Sequence, residues 1–211
     1  LPDMQAKIFH TALLARENLT LLNAEKARPA LGKIEEELAQ GESLYIQNAG
    51  LVLLWQFLPV LFEKSHLLQE RQFIGVSEQS HAVYLAQYLV CGQESAPDAA
   101  FEADLLLNKI LCGMPECAAL EAKQEFSEAE KKMASGLLHA VTQHWSVLKN
   151  TDIAGLRATF LVRQGRLRKN ADSWTLLVDK GPYDQLLKTL PWSIKTIRLP
   201  WMQQALWVEW I

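Results

Sequence analysis

The segment Leu190–Ile211 holds four of the chain's seven tryptophans, Trp192, Trp201, Trp207 and Trp210. Trp192 follows Pro191 and Trp201 follows Pro200, so the backbone around both is restricted before any packing begins. Tryptophan is the largest side chain, and its indole N–H needs a partner once buried. This density requires either a crowded small core or a surface built to be covered by another protein. Within this segment Lys195 and Glu209 are the acid–base groups, which points to assembly before chemistry.

The rest of the composition narrows the class. A chain of 211 residues with 49% hydrophobic content fits one large domain, or one domain with an ordered arm, and excludes general disorder. The net charge of −3 does not suit a nucleic-acid binder. The one locally basic run, Arg163–Lys169, reads as a solvated strand face. The three cysteines, Cys91, Cys112 and Cys117, form no C-x-x-C and read as reduced core residues of a protein made in the cytosol, with a Cys112–Cys117 bridge as a minor alternative. The chain opens on Leu1 without a signal-peptide pattern and reads as a fragment or processed product. The apolar run Ala49–Phe62 is too short to span a bilayer and reads as a buried helix, so membrane insertion is not expected.

Periodicity sets out an α+β order, with helices first and a small antiparallel sheet last. One helix is expected over Met4–Lys26. A second begins at Pro29 and runs to Leu38, giving a helical arm or linker over 1–42. The globular domain covers 43–211, with a helical part at 43–159 and a β part at 160–211. Leu44–Ile46 reads as a strand and Asn48–Gly50 as a turn. Helices follow after a cap at Ser77, ending at Gly92, and over Phe101–Leu111, with Gln93–Ala99 as a polar loop between them. Ser127 and Glu130 form a capping box that opens an amphipathic helix carrying Met133, Leu137, Ala140, Val141, His144 and Leu148 at helical spacing. Thr151 caps one more short helix. A hairpin, Phe160–Leu167 and Trp174–Val178, turns at Asn170. A short helix over Tyr183–Leu190 and strands at Ile194–Leu199 and Leu206–Ile211 complete the chain.

The residues offer no ordered catalytic, cofactor-binding or metal-binding set. His139 and His144 are five apart and face different ways; His144, on the apolar stripe, reads as a packed, hydrogen-bonded histidine. Cys112 falls at a helix C-terminus, where the dipole disfavours a thiolate. Glu128 and Glu130 are accounted for by capping, while Asp179, Asp184 and Glu209 read as surface charge. Asn108 and Asn150 stand at helix ends, where asparagine usually bonds to backbone.

Several segments taken in order resemble one family. They are Leu44–Leu54, Phe57-Leu58-Pro59, Leu107-Asn108-Lys109-Ile110-Leu111-Cys112-Gly113, His144-Trp145 and Leu148-Lys149-Asn150-Thr151. Gly155-Leu156-Arg157, Gly165-Arg166-Leu167, Leu190-Pro191-Trp192-Ser193-Ile194, Leu199-Pro200-Trp201-Met202 and Val208-Glu209-Trp210 follow. Over roughly Ser43 to Ile211 the chain is similar to the C-terminal region of tape measure proteins from bacterial contractile injection systems. These systems are phage-tail-like particles with a sheath, inner tube, spike and baseplate. Trp55-Gln56 stands where His-Pro is expected, and Ile153-Ala154 where Pro-Glu is commoner. The resemblance implies a structural protein, made in the bacterial cytoplasm and incorporated into a particle, that sets inner-tube length and contacts inner tube, spike or baseplate subunits. Asn48, Gly50, Pro59, Asn108, Gly113, Asn150, Pro191, Trp192 and Pro200 carry the signature and are expected to be structural. A helix advances only about 1.5 Å per residue, so a compact domain fits an anchor better than a ruler. Trp201, Trp207 and Trp210, or the edge of the last strand, are the candidate partner-binding elements, each competing with a place in the domain's own core. Self-association stays open. The competing functions are a tryptophan-based peptide- or carbohydrate-binding module and a hydrolase with a cryptic pocket.

Overall fold

The computed structural model describes residues 2–93, 104–123 and 125–210. The first helix, α1 (Pro2–Ala39), continues through Pro29, where two helices were expected. An interior proline removes one backbone donor and costs about 3 kcal/mol. Ala27, Leu31 and Ile34 flank it, all three buried in the main core, and their burial offsets that cost. The second half of α1 therefore belongs to the core.

Strand β1 (Leu44–Ile46) leads into a 3-10 segment, Ala49–Phe57, and then α2 (Leu58–Lys64). The run expected as one buried helix is thus split. Its residues Ala49–Leu54 are buried all round, as the continuous apolar stretch demands. Gly50 is required here because a β-carbon would collide with the Phe160 carbonyl. A small hairpin follows, β2 (Leu68–Gln69) and β3 (Gln72–Phe73), turned by Glu70 and Arg71 at φ 50° and 63°. A two-residue hairpin loop needs this left-handed pair, and without glycine or asparagine it is strained.

Helix α3 (Val76–Cys91) starts after Gly75 rather than at Ser77, and ends at Gly92 as expected. Of the loop expected over Gln93–Ala99, residues 94–99 lie outside the described residues, as do the first residues of the helix expected from Phe101; α4 spans Leu106–Leu111. Helix α5 (Glu128–His144) opens on the capping box formed by Ser127 and Glu130. Its buried stripe is Ala134, Leu138, Val141 and Thr142, continued by Trp145, so the expected stripe is rotated. Helix α6 (Ile153–Leu156) is capped by Asp152, whose Oδ1 accepts from the Gly155 N–H at 2.7 Å; the cap was expected at Thr151. It runs on into a π-helical turn, Arg157–Leu161, where a strand was expected from Phe160.

The remaining strands are β4 (Gly165–Lys169), β5 (Ser173–Val178), β6 (Thr196–Ile197) and β7 (Ala205–Trp210), with a 3-10 turn at Asp184–Thr189. With β1 they form one sheet in the order β1-β4-β5-β7-β6. The α+β class holds, but the sheet is mixed. Three neighbouring pairs are antiparallel, while β5 and β7 run parallel from Ser173↔Ala205 to Val178↔Trp210. In chain order β6 comes between the two and runs opposite to both, so the chain reverses twice and β7 lies alongside β5 in the same direction. Leu167, Leu176, Val178, Ile197, Leu206 and Val208 face inward onto the 3-10 segment and the helices, forming one core with them.

Candidate functional site

The tryptophans divide by environment. Trp201 is buried between Phe62 and Phe73, with ring centroids 5.8 and 5.2 Å away, and its Nε1–H donates to the Leu111 carbonyl at 2.8 Å. Gly113, at φ 67°, lets the chain after α4 press against the Trp201 carbonyl, a position closed to any β-carbon. Trp192 is half-buried against Phe57, its Nε1–H donating to the Leu53 carbonyl at 3.0 Å. Trp145 is fully buried and donates to Thr189 Oγ1 at 2.9 Å. Only Trp207, 50% exposed, stands open. Of the candidate partner-binding trio, Trp201 is taken by the core. Trp210 is half-buried and joins a polar cluster.

That cluster overturns the reading of Arg163 as solvated and Asp184 as surface charge. Arg163 Nη1 lies 3.1 Å from Asp184 Oδ1, both groups being almost wholly removed from solvent. Arg163 Nη2 donates to the Thr159 carbonyl at 2.6 Å. Asp184 Oδ2 accepts from the Gly181 N–H at 2.6 Å and from Trp210 Nε1–H at 2.9 Å. The Arg163 guanidinium also sits 5.7 Å from the centre of the Trp210 ring. Trp210 therefore ties the end of β7 to the turn before β4.

The signature asparagines also come together. Asn48 Nδ2 donates to Asn108 Oδ1 at 2.6 Å and to Gln87 Oε1 at 2.9 Å, and Asn108 Nδ2 donates to the Val83 carbonyl at 3.1 Å. This buried amide bridge joins the start of the 3-10 segment to α3 and α4. Pro59 sits in the first turn of α2. Pro191 and Pro200 are exposed, and the Pro200 carbonyl accepts from Gln72 Nε2 at 3.3 Å, fastening the β2–β3 hairpin. Asn150 is exposed and makes no backbone bond among the described residues, unlike the expectation.

Sequence reasoning missed His81. It is buried, with Nε2 at 2.6 Å from Glu130 Oε1, while Glu130 Oε2 accepts from the Ser127 N–H and hydroxyl at 2.8 Å each. Burial pushes the Glu130 carboxyl up, but these bonds outweigh it and hold it below the usual glutamate range. His144, expected packed, is exposed; Nδ1 lies 2.8 Å from the Ala140 carbonyl and the ring meets Phe57 edge-on. All three cysteines are free. Burial pushes the Cys112 thiol far above its usual range, which opposes nucleophilic use. Glu116, also pushed up by burial, is held below its usual range overall by Lys169. Glu116 and Glu130 line separate pockets of about 180 and 190 Å³. Among the described residues no group of three or more His, Cys, Asp or Glu side chains is placed to hold a metal ion, and no helix is long and apolar enough to cross a membrane.

The open surface is the outer face of the sheet. Inward residues alternate with Tyr45 on β1, Arg166 and Arg168 on β4, Thr175 and Leu177 on β5, and Trp207 and Glu209 on β7. Tyr45 is 74% exposed. The last strand is not a free edge where β6 pairs with it, at Leu206 and Trp207; the sheet's outer strands are β1 and β6.

No match is found among curated proteins or among solved structures. A family model described as contractile injection system tape measure protein matches residues 7–210. The match takes in most of α1, which the sequence resemblance, starting at Ser43, had left outside. On that coverage the chain belongs to the contractile injection system tape measure protein family.

Proposed function

We propose that this domain anchors the tape measure protein to a neighbouring subunit of the injection particle, an inner tube, spike or baseplate component, and does so through the outer face of its sheet. Family membership gives a structural role. The observation that carries the finer reading is Trp207, half exposed on a sheet face while the indole N–H groups of Trp55, Trp145, Trp192, Trp201 and Trp210 are all bonded within the domain. An exposed tryptophan and an exposed tyrosine on one sheet face are the residue chemistry of interface anchors. The strands share one core with the helices, so the domain does not extend as a ruler must.

The test is capture of purified inner tube, spike and baseplate proteins by the full chain and by Trp207→Ala. Selective capture of one component, lost in the variant, supports anchoring through the sheet. Capture that persists undiminished in the variant moves the docking surface elsewhere, and no capture by the intact chain defeats the anchoring reading. A carbohydrate-binding platform would need a row of open indoles, and this face has one.

A further inference from the structure

We infer that the outer sheet face receives an acidic protein surface, with Arg166, Arg168 and Arg198 sharing that face with Trp207. This deepens the anchoring proposal and rests on it. The pairing register places the groups. Trp207 lies opposite Thr175, which lies opposite Arg168, in one row across β7, β5 and β4. On its other side Trp207 faces Thr196 on β6. Arg198 lies just past the end of β6, two residues on from Thr196, and is exposed while Ile197 and Leu199 are buried, the alternation that puts it on the side of Thr196. The neighbouring row carries Tyr45, Arg166, Leu177 and Glu209. Arginines therefore stand on this face to either side of the strand that carries Trp207.

Charge and bonding give the partner's chemistry. The chain as a whole carries −3, yet among the residues placed in these rows and at Arg198 three carry guanidinium groups and one, Glu209, a carboxylate. Each guanidinium offers five N–H donors. Arg157 and Arg163, elsewhere in the domain, direct theirs at carbonyls or a carboxylate. Arg166, Arg168 and Arg198 make no ion pair and no side-chain hydrogen bond among the described residues. Arginine and tryptophan are the side chains most enriched at energetic centres of interfaces, and bidentate pairing suits arginine to carboxylates. A polyanionic nucleic acid fits less well. Tyr45 and Trp207 stand three strands apart, about 14 Å at sheet spacing, too far for consecutive bases to stack on both, and the carboxylate of Glu209 stands two residues along β7 from Trp207.

The experiment measures binding of the full chain to purified inner tube, spike and baseplate proteins, and to a short single-stranded oligonucleotide. The variants are Arg168→Glu with Arg198→Glu, and Trp207→Ala, each first shown to melt as the parent does. The expected result is binding to one protein component that weakens about tenfold or more in the double charge reversal. Raising salt from about 50 to about 500 mM should weaken it comparably. Binding that is lost in Trp207→Ala but indifferent to charge reversal and salt would overturn the acidic partner while leaving the anchoring reading standing. No binding to any protein component would end both. Tighter binding to the oligonucleotide than to any protein, or a salt-sensitive dimer of the chain itself with no heterologous capture, would also overturn it.

Discussion

Just before β4, Arg163 is buried, bonded to the Thr159 carbonyl and paired with Asp184 beneath the Trp210 ring. Three and five residues further on, Arg166 and Arg168 stand on the opposite side of the same sheet with no partner among the described residues. The tryptophans repeat the division: Trp201 is closed in by aromatic rings and a backbone carbonyl, whereas Trp207 is open. Identical side chains, a few residues apart, thus do opposite work. Where a residue's bonds close inside the domain, it specifies the fold. Where they do not, it is free for a partner.

The largest tests of this contrast act on the inner side. Asp184→Ala should destabilise the domain by about 3–5 kcal/mol, because it leaves the Arg163 charge buried and unpaired and strips Trp210 Nε1 of its acceptor. Trp201→Ala should cost a similar amount, about 3–5 kcal/mol, by opening a cavity between Phe62 and Phe73. Denaturant unfolding measures both. A loss under about 1 kcal/mol in either would mean that the inner face is no more committed to the fold than the outer one.

How much of this was readable from the sequence depends on how local the cause is. Ser127 with Glu130, Gly92, Leu44–Ile46 and the turn at Asn170 were legible because each signal sits within a few residues of its effect. Arg163 was misread because its partner is 21 positions away and only the fold brings them together. Pro29 argued for a helix start, yet the burial of Ala27, Leu31 and Ile34 carries α1 through it. The Glu70–Arg71 turn lacks the glycine or asparagine that would announce a primed hairpin, so β2 and β3 went unseen. His81 gave no motif because its partner's capping role already explained Glu130. At the site, the tryptophan cluster was visible, but which indole stays open follows from strand register and from carbonyls such as that of Leu111.

A smaller effect sharpens the role of the capping glutamate. Glu130→Gln keeps an amide that can still close the capping box, so it isolates the charge. The folded Glu130 carboxyl sits below its usual range: burial raises it, and the Ser127 and His81 bonds more than reverse that. Its stabilisation is therefore fully present above the unfolded value of about 4.3 and is lost as pH falls through the lower folded value. The variant should be about 1 kcal/mol less stable than the parent near neutral pH, and the difference should shrink towards zero as pH falls through the lowered folded value of the Glu130 carboxyl. Thermal melts across that range measure it. A difference that stays constant with pH would show that the carboxylate charge contributes nothing through His81 and Ser127.

The smallest expected change in stability is at Trp207. Its neighbours in the row are Thr175 and Thr196, and half its surface already meets solvent, so Trp207→Ala removes cross-strand packing worth about 1 kcal/mol or less. Set beside Trp201→Ala, the same chemical deletion six positions away should therefore unfold at nearly the parental denaturant concentration. Iodide quenching gives an independent reading. The accessible part of the tryptophan emission should fall sharply in Trp207→Ala, since this indole is the most open of the seven. If Trp207→Ala instead destabilised the domain as much as Trp201→Ala, the indole would be part of the folding core and its place on the outer face would no longer argue for a partner. If it leaves stability and melting unchanged, any binding it abolishes is attributable to the lost contact and not to a damaged fold.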